Sequence, residues 1–136
     1  MKLDHIGIAV KSLEDSLKFY RDVLGLELEG VEEVPEENVR VAMLRVGDTH
    51  IELLQGTSPD SAISKFIEKR GEGIHHIAVG VEDIDRVVED LKSRGALLTY
   101  DKAKLVSKGS RKINFIHPKS TGGVLLEVVE RLGSHG

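Results

Sequence analysis

At 136 residues, with 40% hydrophobic and 31% charged side chains, the chain has the composition of one globular domain and is too apolar to remain disordered. A formal net charge of −4 and an aromatic content of 4% argue against a basic, base-stacking nucleic-acid surface. Cysteine is absent, which excludes disulfides and thiolate ligands, so a metal would have to be held by nitrogen and oxygen.

No apolar run approaches the roughly 20 residues of a membrane helix. The opening residues MKLDHIGIAV carry Asp4 and His5 where an export signal would need an apolar core, so a cytoplasmic protein is expected.

The first strand is predicted over 3–10 and an amphipathic helix over 15–24, with Ser12 and Asp15 as its capping start and Gly25 as its stop. A strand follows over 26–34, with glutamates between its apolar positions, and Pro35-Glu36-Glu37-Asn38 breaks it. Two further strands, 39–46 and 50–54, are joined at Gly47-Asp48, a good hairpin turn. After a loop at 55–60, a short helix over 61–70 links the two halves of the chain. The second half then repeats the order. Strand 74–81 is followed by helix 83–94, strand 96–100, a lysine-bearing loop over 101–110, strand 112–116, a turn at 117–123 and strand 124–129. His117 falls in that turn and reads as structural, and the tail 131–136 reads as frayed.

The repeat organises the chain. DHIGIAV at the head of the first strand matches HHIAVGV roughly half a chain length later, and places His5 under His76. The expected architecture is α+β: two paired βαβββ modules forming a partly open, barrel-like sheet around a metal cleft, in a single domain. Module one is 1–55, the linker helix 56–73, module two 74–130 and the tail 131–136.

The last strand of each module adds a carboxylate among apolar neighbours: HIELL carries Glu52 and LLEVV carries Glu127. Taken singly, each histidine fits a strand-end polar residue and each glutamate a solvent-facing position. The duplication sets all four at equivalent places. Two imidazoles and two carboxylates suit a divalent ion, and an ion would relieve the repulsion of two buried carboxylates. His5, Glu52, His76 and Glu127 are therefore the candidate metal ligands. His75 lies on the opposite pleat face from His76 and is expected to pack or to support a ligand.

LDHIGIAV, IELLQ, SPDSAISKFIEKRGEGIHHIAVGV and NFIHPKSTGGVLLEVVE resemble the methylmalonyl-CoA epimerase family of the vicinal oxygen chelate (glyoxalase/bleomycin resistance/dioxygenase) superfamily, over about residues 3–130. The resemblance implies an isomerase that interconverts (R)- and (S)-methylmalonyl-CoA by proton transfer at C2 through a metal-stabilised enolate. It implies a divalent cation such as Co2+, Mn2+ or Mg2+, an acyl-CoA substrate and a homodimer, with no nucleic-acid or membrane partner. The family's ligand positions fall on the same four residues. Position 52 is Gln in some members and Glu here.

Inversion at carbon needs one group to remove the proton from one face and another to return it on the other. Glu127 is the candidate for one. A glutamate of some family members falls at Val41, which transfers no proton. His50 shares a pleat face with Glu52 and is the candidate for the second. Lys102, Lys104, Lys108, Arg111, Lys112 and Lys119 lie in or beside the loops of module two, as cations for the CoA phosphates or as solvated surface. Within the same fold the alternatives are a glyoxalase I-type lyase and a non-catalytic small-molecule binding protein. A dioxygenase using His5, His76 and Glu127 would have Glu52 in a position its chemistry wants open.

Overall fold

The computed structural model describes residues 1–133. The chain divides into two compact units, His5–His75 and Met1–Asp4 together with His76–Gly136. Each contains the βαβββ order that the repeat predicts.

In the first unit, β1 (Lys2–Ala9) from His5 onward, β2 (Glu27–Val34), β3 (Val39–Val46) and β4 (Thr49–Gly56) pair in the order β2-β3-β4-β1. β1 runs parallel to β4, and the other pairs are antiparallel. Alternation along the strands sorts their side chains onto two faces. Ala42, Leu44 and Leu53 turn to the face covered by α1 (Leu13–Leu17), where they pack with Val10, Leu13 and Leu17. Val39, Val41 and Leu54 turn to the other face and meet Ile63 of α2 (Ala62–Arg70), with Phe66 and Ile67 against the cluster.

Both helices start on serine caps. Ser12 Oγ accepts from the Asp15 N–H and Ser61 Oγ from the Ser64 N–H. Gly56, at the end of β4, lets these elements close: a Cβ there would collide with the Ser61 and Ser64 hydroxyls. The helix predicted over 15–24 is shorter as an α-helix. From Lys18 to Val23 it widens to π geometry, with the Leu24 N–H bonded to the Phe19 carbonyl at 2.7 Å.

In the second unit, β5 (Gly73–Gly80), β6 (Lys104–Val106), β7 (Arg111–Ile116) and β8 (Leu126–Arg131) form the order β5-β8-β7-β6, with β5 parallel to β8. α3 (Ile84–Ser93) is capped by Asp83 and buries Ile84 and Val88 against Ile116 and Val128.

The strand predicted over 96–100 is not formed as such. Only Leu98 bridges to Ile116. The buried Asn114 side chain takes both backbone groups of Tyr100, accepting its N–H and donating to its carbonyl, each at 3.0 Å. The ladder is cut to two backbone bonds around that bridge, from the Thr99 N–H to the Phe115 carbonyl and from the His117 N–H to the Leu97 carbonyl, with the Asn114 clamp taking over at Tyr100 and Ser120 Oγ accepting from the Leu97 N–H. The true edge strand is β6, inside the segment expected to be a loop. Burial of Val106 with Ala78, Ile113 and Val129 holds it there. The turn at 117–123 contains a short helix, α4 (Pro118–Thr121), capped by His117, whose Nδ1 accepts from the Lys119 N–H. Arg131 closes β8 rather than opening a frayed tail, and residues 134–136 lie outside the described residues. Its guanidinium makes a two-point ion pair with the buried Asp4 at 2.7 and 3.0 Å.

Leu53 is completely buried between β4 and α1. Leu53→Ala is expected to lower stability by about 2–5 kcal/mol, read as a drop in the urea midpoint with an unchanged slope.

Candidate metal and proton-transfer site

The parallel pairing of β1 with β4 sets the first pair of site residues. His5 lies opposite His50 and Gly7 opposite Glu52, so the His5 and Glu52 side chains leave the same face two residues apart. His5 Nδ1 and Glu52 Oε2 are 3.4 Å apart, and both side chains are almost wholly buried.

The second unit repeats the device. β5 runs parallel to β8 with Ala78 opposite Glu127, and His76 Nε2 stands 3.1 Å from Glu127 Oε1, again buried. Ala78 holds the ladder position opposite Glu127 that Gly7 holds opposite Glu52.

An ionised carboxylate buried next to an imidazole is a costly arrangement unless compensated, and both residue types are common ligands of divalent ions. Each unit therefore carries one compensated, two-donor group of nitrogen and oxygen, with the donor chemistry a divalent cation takes.

The neighbours of the two glutamates differ. Across the antiparallel ladder, Glu127 faces Phe115, whose ring meets His76 edge-on at 6.3 Å and Tyr100 at 6.4 Å. Glu52 faces Met43, which packs at the rim of the cluster formed by Val41, Leu54 and Ile63. Val41 is buried in that cluster.

His75, on the other pleat face from His76, stacks edge-on against Phe66 of α2 at 5.0 Å. His50 is on the Glu52 face of β4, as alternation predicts. Its Nε2 contacts Glu29 Oε1 at 2.6 Å, and the other oxygen of Glu29 accepts from Arg45 at 3.0 Å. An ionised carboxylate only accepts, so Nε2 carries the proton in this contact and Nδ1 is left as the basic nitrogen. Sequence reasoning missed Glu29. It sits at a register shift in β2 between Leu28 and Gly30, a bulge that re-aims its side chain along the sheet. Gly30, in the interior of a strand, was the available signal.

Among the expected phosphate-binding cations, Lys112 is tied to Asp85 at 2.7 Å. Lys104 lies over the Tyr100 ring at 5.4 Å, and Arg111 donates to Ser107 Oγ at 2.6 Å.

The Glu29 carboxyl is held below its ordinary pKa, first by the hydrogen bond with His50 and then by that with Arg45. A lowered folded pKa means that its stabilising contribution is present above the ordinary carboxylate range and is lost as pH falls through the lowered value. Glu29→Gln should therefore lower Tm at pH 7 and lower it less as the pH falls, measured by thermal melts across the acid range.

Comparison with known proteins places this geometry in a family. Residues 4–115 match the model described as the Glyoxalase/Bleomycin resistance protein/Dioxygenase superfamily. The mitochondrial methylmalonyl-CoA epimerase of Mus musculus is 39% identical over 128 residues, which cover 93% of this chain and 71% of that protein. The ethylmalonyl-CoA/methylmalonyl-CoA epimerase of Cereibacter sphaeroides is 35% identical, covering 93% of this chain and 96% of its own. A variant of the Streptomyces coelicolor methylmalonyl-CoA epimerase, in complex with 2-nitronate-propionyl-CoA, is similar with a TM-score of 0.92 and 38% identity over 98% of this chain and 96% of that one. With paired βαβββ halves and a family match over most of its length, the chain belongs to the glyoxalase/bleomycin resistance protein/dioxygenase superfamily.

Proposed function

We propose that this protein is a methylmalonyl-CoA epimerase, an isomerase that inverts C2 of methylmalonyl-CoA. The observation that carries the reading is the pair of buried His–Glu groups at equivalent strand positions in the two halves. The identity with epimerases over nearly the whole chain supports the same substrate.

His5 with Glu52, and His76 with Glu127, are the residues that would hold a divalent cation, with Co2+, Mn2+ and Mg2+ as the candidates. A bound divalent ion would supply positive charge that stabilises the negative charge developing as the C2 proton leaves. The residues do the rest. Burial excludes bulk water from the carboxylates and strengthens their electrostatic effect. Glu127 removes the proton from C2 on one face. On the other face Val41 has no proton to give, and His50 is the second proton-transfer group, with Glu29 fixing its tautomer so that Nδ1 accepts or returns the proton. The protein acts as a homodimer in the cytoplasm. Among the described residues no helix is long and apolar enough to cross a membrane.

Proton NMR of (2R)-methylmalonyl-CoA in deuterium oxide tests the reading. The methine signal is expected to exchange and the methyl doublet to collapse, and a chelator should abolish both changes. Turnover of the methylglyoxal–glutathione adduct in place of methylmalonyl-CoA would make the protein a glyoxalase I-type lyase instead. A protein that binds the thioester without exchange would be a binding module.

Glu127→Gln is expected to slow exchange by about 10²–10⁴-fold, the usual contribution of a positioned acid or base. His50→Ala should lower kcat by a similar order with little change in KM. Wild-type turnover in His50→Ala would remove it from the mechanism.

A further inference from the structure

We infer that Met43 sets which 2-alkylmalonyl-CoA thioesters the site accepts, as an adjustable apolar wall against the substituent on C2. The inference rests on the epimerase reading above and on Glu52 as one of the groups around the reacting malonyl unit.

The ladder places Met43 directly across from Glu52. Directly opposed residues of an antiparallel pair have Cβ atoms about 4.5–5.5 Å apart and share a face. The alkyl group of the substrate is three bonds from each malonyl oxygen. Whatever holds those oxygens near Glu52 therefore brings the alkyl group within reach of its ladder neighbour.

Three features make Met43 the surface it meets. Its side chain is only partly buried, whereas Ala42 and Leu44 on either side are fully buried against the α1 face. It borders an apolar cluster of Val41, Leu54 and Ile63, so the wall continues without a polar group. It is unbranched and flexible at three torsions, which lets it change shape to fit a longer group.

The corresponding neighbour of the other carboxylate cannot do this. Phe115 is flat, rigid and fixed by edge-on contacts to His76 and Tyr100. Glu127 thus has a fixed ladder neighbour and Glu52 a yielding one, and a second or third carbon fits beside the yielding one.

A fixed apolar pocket discriminates one methylene by about 10–200-fold. With Met43 yielding, the wild-type protein is expected to lose less than about 10-fold in kcat/KM from the 2-methyl to the 2-ethyl thioester. The test measures turnover of 2-methyl-, 2-ethyl- and 2-propylmalonyl-CoA by the metal-loaded protein, and their dissociation constants by calorimetry. Wild type is compared with Met43→Ala, which opens the wall, and with Met43→Leu, which keeps its volume but stiffens it.

Met43→Ala should raise the 2-propyl to 2-methyl ratio at least tenfold, and Met43→Leu should lower it. A lower Tm alone would not move this ratio. If Met43→Ala does not fold, the Met43→Leu ratio decides. Ratios within twofold of wild type in the variants that fold would overturn the inference while leaving the epimerase reading intact. Binding of the thioesters without turnover would overturn the epimerase reading, and the ratio of dissociation constants would still decide the role of Met43. Failure of every thioester to bind would overturn both.

Discussion

The constraint on which this structure depends is the burial of a carboxylate beside an imidazole in the middle of a sheet. An isolated ionised glutamate at that depth would cost several kcal/mol. Each unit meets the problem with the same local geometry: parallel pairing of the first and last strands of the module, a small residue opposite the glutamate, and a histidine one pleat repeat away. Gly7 and Ala78 are the small residues opposite Glu52 and Glu127. The apolar clusters on either side keep water out and make the charge matter.

The site carries two different kinds of residue. The buried His–Glu pairs are symmetric, duplicated with the fold. The surroundings are not. Phe115 and Met43 occupy matching ladder positions with opposite mechanical character, and His50 in the first unit is supported by Glu29 at a bulge. Duplication accounts for what the halves hold in common, and divergence accounts for the asymmetry that a reaction with two distinct faces requires.

The repeat DHIGIAV/HHIAVGV made the module order and the four His and Glu residues legible, because a period-2 pattern with matched polar positions survives in one-dimensional form. The extent of most strands followed from the same alternation. What could not be read was set by side chains acting on a distant backbone. The segment 96–100 has strand composition, but Asn114, far along the chain, takes the backbone groups of Tyr100 that a ladder would have used. β6 lies inside a lysine-bearing segment that looks like a loop, yet one buried valine holds it on the edge of β7. Glu29 was hidden because a bulge shifts the register without leaving more than a glycine as a mark. The fully legible contacts are those that repeat, and the illegible ones occur once.

The ion pair between Asp4 and Arg131 ties the start of β1 to the end of β8 within one unit. That unit is discontinuous in sequence, whereas His5–His75 is a single uninterrupted stretch. A ribosome delivers the chain from its N-terminus, and domains form as their residues emerge. The uninterrupted unit has all its strands available once the first 75 residues are out. Asp4, just ahead of it, waits for Arg131, which emerges well after the uninterrupted unit. The order in which the two halves reach their native form is therefore written into the connectivity, with the older half of the nascent chain holding one strand end in reserve for the younger.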